Sequence, residues 1–123
     1  MTLTRSLSLV ALAAVLWTLV SVEWASAQSE DAPTVAAENI AFTPNELTIA
    51  PGTTVTWVNN DPYQHTVTAD DGSFDSGLFD QGQTYSQTFE APGTYAYHCI
   101  PHGSPGGGGM AGLIIVQDLG ESH

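Results

Sequence analysis

Apolar and polar positions alternate with a period of two along much of the chain, and turn residues break the pattern at short intervals. Thr53-Thr54-Val55-Thr56-Trp57-Val58-Asn59 puts Val55 and Trp57 on one face and Thr54, Thr56 and Val58 on the other. That is the signature of a half-buried strand. Residues 35–42 read as an earlier strand ended by Thr43-Pro44-Asn45, and Glu46-Leu47-Thr48-Ile49 alternates before the Pro51-Gly52 turn. After Asn59-Asn60-Asp61-Pro62, the extended pattern resumes over His65-Thr66-Val67-Thr68. Residues 70–77 form a polar loop and residues 83–89 another strand, with Tyr85 and Phe89 among its larger apolar members. Pro92-Gly93 then turns into Thr94-Tyr95-Ala96-Tyr97-His98-Cys99, and the apolar Leu113-Ile114-Ile115-Val116 closes the series. No stretch carries helical periodicity over a useful length. Seven or eight short strands predict an all-β sandwich or barrel.

The N-terminus follows a different rule. Arg5 gives a positive start, residues 7–22 are apolar except for Ser8, Thr18 and Ser21, and Ala25-Ser26-Ala27 offers small residues for cleavage. The layout is that of a secretory signal peptide over residues 1–27, too short for the ~20 apolar residues of a membrane span. The expected organisation is a signal at 1–27, a flexible acidic segment at 28–33, one β domain at 34–117 and a polar tail at 118–123. Export places the domain in a periplasmic or extracellular space, with no stable membrane insertion after cleavage.

Charge narrows the partners. Arg5 is the single basic side chain against thirteen acids, for a formal net charge of −12. Nucleic acid and anionic membranes are excluded as partners, and cationic proteins are favoured. A saline habitat that screens the self-repulsion accounts for the acidity equally well.

Chemistry concentrates near the C-terminus. Cys99 is the only cysteine, so it cannot close an internal disulfide, and an oxidising compartment disfavours an idle thiol. Cys99-Ile-Pro-His102-Gly-Ser-Pro-Gly-Gly-Gly-Gly-Met110 adds an imidazole and a thioether, and His65 supplies a second imidazole. Thiolate, imidazole and thioether form a soft set that selects copper. Taken singly, Cys99 reads as a small buried hydrophobe, His65 as a loop histidine and Met110 as core filler; together they read as ligands of one copper ion. His98 precedes Cys99 on a strand and points to the opposite face. The alternatives are a copper store or chaperone, or a zinc-stapled binding module, although Met110 suits zinc poorly. No nucleophile–base pair or second metal set suggests an enzyme.

With these residues in view, the chain resembles the cupredoxins, small blue-copper electron carriers. The likeness runs from about Asn39 to Val116 and includes Pro44-Asn45-Glu46-Leu47-Thr48-Ile49, Asp61-Pro62-Tyr63-Gln64-His65-Thr66-Val67 and Gly93-Thr94-Tyr95-Ala96-Tyr97-His98-Cys99. It implies a Greek-key β-sandwich with a type 1 copper held by His65, Cys99 and His102, and Met110 as axial ligand. It implies a monomer that exchanges single electrons with redox proteins through weak contacts at the His102 edge. Three departures stand out. Seven residues separate His102 from Met110, more than in plastocyanin-like or amicyanin-like members, which predicts a loosely fixed glycine-rich loop. Thr66 stands where many relatives carry an asparagine beside the cysteine sulfur, leaving Thr66 or a backbone amide to brace it. His98 replaces the tyrosine that plastocyanin uses for remote electron entry.

Overall fold

The structure is a computed structural model, and it describes residues 32–119; the expected signal at 1–27, most of the expected acidic segment at 28–33 and residues 120–123 of the expected tail lie outside that range. Eight strands follow one another without a helix among the described residues: β1 (Thr34–Ala37), β2 (Phe42–Thr43), β3 (Glu46–Ile49), β4 (Thr53–Asn59), β5 (Thr68–Ala69), β6 (Thr84–Phe89), β7 (Gly93–Ser104) and β8 (Gly108–Val116). They form two four-stranded sheets, ordered β2-β1-β4-β6 and β3-β8-β7-β5. β1 runs parallel to β4 and β3 parallel to β8, while the remaining pairs are antiparallel.

Alternation decides what each sheet buries. On β4, Val55, Trp57 and Asn59 are fully buried, with the intervening residues more exposed. Val35, Ala37 and Phe89 join them, and Ile49, Tyr97, Cys99, Met110, Ile114 and Val116 complete the core from the other sheet. Trp57 meets Tyr97 edge-on at 5.4 Å between ring centroids, and Phe42 meets Tyr97 at 4.9 Å. Such pairs add specific geometry to area burial. Tyr97 lies over β8 at its pairing partner Gly112, where a Cβ would overlap the Tyr97 ring.

Three strands differ from the sequence reading. The expected strand at 35–42 is two short strands joined by a tight turn over residues 38–41, in which the Glu38 and Ala41 amides and carbonyls bond each other. Asn39 and Ile40 at its centre have φ of 57° and 55°, the geometry of a type I′ hairpin turn. The strand expected over 65–68 contracts to Thr68 and Ala69, and His65 makes one isolated bridge to Phe79.

The third difference is the glycine-rich loop. β7 and β8 extend through it as a hairpin, with Gly103 opposite Gly109 and Ser104 opposite Gly108. Only backbone is needed to make that ladder, so four glycines do not prevent it.

Candidate metal centre

The β7–β8 hairpin holds the site through a break in its register. His98 pairs with Ala111 and the next pair is Gly103 with Gly109, so residues 99–102 on β7 face Met110 alone on β8. This bulge releases Cys99 and His102 from strict alternation, allowing both to turn toward one point. Met110 sits across from the bulge and is 2% exposed. It shares the inward face of β8 with Ile114 and Val116. His65 arrives from the other side of the sandwich end, bonded through its backbone to Phe79.

Three of the four predicted ligands converge. His65 Nδ1 lies 3.2 Å from His102 Nδ1, and each of those nitrogens lies 3.5 Å from Cys99 Sγ. His65 and Cys99 are wholly buried, whereas His102 reaches the surface in part. The centre of a triangle with these sides is about 2.0 Å from each corner, close to the metal–nitrogen distance of a first-row ion. Two imidazoles and a thiolate around such a point fit copper, and the donor set suits either of its oxidation states. His98, by contrast, turns away and bonds Asp70 Oδ1 at 2.7 Å.

The shell around these donors sets their chemistry. His65 Nε2 lies 2.8 Å from Asp61 Oδ2. A carboxylate only accepts, so Nε2 carries the proton and Nδ1 offers a bare lone pair toward Cys99 and His102. Asp61 in turn accepts the Asn39 amide at 2.7 Å and the Ile40 amide at 2.9 Å. Successive left-handed residues aim their amides at one anion, a nest. Burial alone would raise the Asp61 carboxyl, but the bonds from Ile40, His65 and Asn39 prevail and hold it below its ordinary value.

Cys99 is governed by the opposite balance. Burial pushes its thiol up, against donors from Thr66 and His102 that pull it down. A metal must therefore displace a proton to bind. The Thr66 amide donates to Cys99 Sγ at 3.4 Å, and Thr66 Oγ1 accepts the Ile100 amide at 2.9 Å. Thr66 thus braces the sulfur by backbone and side chain together.

Sequence reasoning missed Asp61 and Asn59. Asn59 is fully buried; its Nδ2 donates to the Tyr63 and Phe79 carbonyls, and its Oδ1 accepts the Asp61 amide. It shapes the turn that carries Asp61 and His65. The available signal was spacing, a carboxylate four residues before the histidine, but Asp-Pro reads first as a turn former. Tyr63, 53% exposed, meets the His102 ring edge-on at 6.3 Å.

Known proteins agree with this geometry. The sequence profile of the copper binding proteins, plastocyanin/azurin family, matches residues 30–117. A plastocyanin from Scenedesmus fuscus is 39% identical over 89 residues, spanning 63% of this chain and 88% of that protein. The chloroplastic plastocyanin of Hordeum vulgare is 35% identical over 89 residues, which cover 63% of this chain and just over half, 56%, of its own length. Among solved structures, an oxidised amicyanin variant superposes with a TM-score of 0.62 at 32% identity, covering 70% of this chain and 82% of that one. By sequence profile and by fold, this chain belongs to the plastocyanin/azurin family of copper-binding proteins.

Proposed function

We propose that this protein is an exported electron carrier in which His65, Cys99 and His102 would hold one type 1 copper, with Met110 as the fourth donor. The observation that carries the reading is the triangle of His65 Nδ1, Cys99 Sγ and His102 Nδ1, with sides of 3.2–3.5 Å. Copper bound there supplies a Cu(II)/Cu(I) couple that gains or loses one electron. The protein's part is to keep the donors still while that happens. Asp61 holds the His65 ring, Thr66 holds the Cys99 sulfur, and the bulge carries Cys99 and His102 on one strand. A donor set that does not rearrange keeps the barrier to electron exchange low.

His102 is the contact point. Its ring is the one donor of the three that reaches solvent, and the exposed Tyr63 ring meets it edge-on. A redox partner pressing against that patch reaches the ligand edge without crossing bulk protein, in a small and short-lived interface. The excess of acids favours a cationic partner, which long-range attraction steers at low ionic strength. Residues 1–27 are the export signal in this reading, and residues 34–117 are the electron-carrying domain. The role is transport of electrons, not turnover of a substrate.

The test is a visible spectrum of the mature protein titrated with Cu(II) and then reduced with ascorbate. An intense blue or green thiolate-to-copper band at one ion per chain, bleached reversibly on reduction, is the expected outcome. A colourless complex, or preferential retention of zinc, would refute the carrier and favour a metal-handling module.

A further inference from the structure

We propose that Asp70 is a positioning residue that clips the glycine-rich hairpin in place over the ligand bulge. It follows β5 directly, and its amide donates to the Ala96 carbonyl on β7 at 2.9 Å. Its carboxylate then spans two further elements. Oδ1 accepts from His98 Nδ1 at 2.7 Å, and Oδ2 accepts the Gly106 amide at 2.9 Å, from a residue 36 positions along the chain. One side chain thereby joins the end of β5, the strand residue next to Cys99, and the tip of the hairpin.

Beyond the Ser104–Gly108 pair of the ladder, the tip glycines have open space where side chains would lie. Gly106 and Gly107 both have φ of +92°, and no atom stands within 4 Å of where a Cβ would lie on either. Beneath them a cleft of about 380 Å³, lined by Asn45, Glu46, Ala111 and Leu113 among others, takes the place of packed side chains. Glycines at a tip over a cleft gain order from hydrogen bonds, since they have no side chains to bury. The Gly106–Asp70 bond is charge-assisted, the stronger kind. His102 lies on one arm of this hairpin and Met110 on the other. A tilt of the tip therefore moves both relative to His65, whose position is set separately by Asp61 and Asn59. The seven-residue spacing is workable because an acid outside the hairpin fixes it.

The clip is a property of the fold, while its consequence for copper rests on the proposed function; two measurements separate them. In metal-free protein, amide hydrogen exchange at Gly106 should quicken at least tenfold in Asp70→Ala, with β4 amides unchanged. Asp70→Asn presents one acceptor oxygen in place of two and should fall between wild type and alanine; it also serves if Asp70→Ala does not fold. In copper-loaded protein, Asp70→Ala should shift the thiolate band and the reduction potential, with Asp70→Asn again intermediate. Unchanged exchange at the tip, or an equal rise across all strands, would overturn the clip. A loosened tip with an unaltered band and potential would overturn its positioning role. A wild-type protein with no band at all would defeat the copper reading while the exchange data still decided the clip.

Discussion

Removing the Asp61 carboxylate should cost this fold more than its place in a turn suggests. Asp61→Ala takes away the acceptor of three bonds, from the Asn39 amide, the Ile40 amide and His65 Nε2. Each bond to a charged acceptor contributes about 1.5–3 kcal/mol, but three donors share two oxygens and the values do not add. Water can replace part of the loss at the turn, where Ile40 is exposed, and cannot do so at His65, which is wholly buried. The turn is also strained, since Ile40 is β-branched at φ of 55°. A loss of about 3–5 kcal/mol follows from the stranded His65 Nε2–H donor together with the two turn amides released from the carboxylate. At roughly 4–8 °C per kcal/mol for a domain of this size, the midpoint should fall on the order of 20 °C.

The pH dependence has a definite sign. Asp61 is held below its ordinary value of 3.8, so its stabilisation is complete above that value and is lost as pH falls through the folded one. Urea denaturation of metal-free wild type and Asp61→Ala should show the full gap at pH 7, shrinking as pH enters the carboxylate's own range. A gap below about 1 kcal/mol at pH 7 would refute the reasoning, because a net neutral hydrogen bond alone would give as much. So would a gap that survives undiminished at pH 2.

Two further outcomes follow from the same geometry. In Gly103→Ala the new Cβ would fall on the Met110 carbonyl oxygen and within 2.8 Å of the Gly108 oxygen and the Met110 nitrogen, all backbone on the facing strand. The hairpin must open, so we expect a loss of about 1–3 kcal/mol by thermal denaturation and a displaced thiolate band in the copper-loaded protein. Thr66→Val keeps the amide on Cys99 Sγ and strips the acceptor from the Ile100 amide. It should cost about 1–3 kcal/mol and broaden the band without abolishing it, and loss of copper binding would show that the side chain does more than brace.

The proposed ligands stood out in the sequence because their chemistry is rare: a lone cysteine, a histidine three positions on, and a methionine before an apolar strand have few other uses in combination. The faces of β4 were legible because Val55 and Trp57 alternate with polar neighbours. The turn at residues 38–41 was not, since Ile40 and Ala41 look like strand interior and only Asp61, 21 positions beyond Ile40, reveals what the turn's amides bind. Asp70 was hidden in the same way among the acids of a polar loop.

Period-two patterning determined by itself that this chain forms strands and which faces they bury, and residue types alone pointed to a soft donor set. The strand properties reside in side chains that are neighbours in sequence, and the donor set in residue types that are rare wherever they stand. The tertiary structure alone decided that the glycine run is a hairpin, that residues 99–102 bulge opposite Met110, and that Asp61 and Asp70 hold the two halves of the site. Glycine carries no side-chain pattern to read, and a carboxylate's role depends on which distant amide or imidazole the fold brings to it.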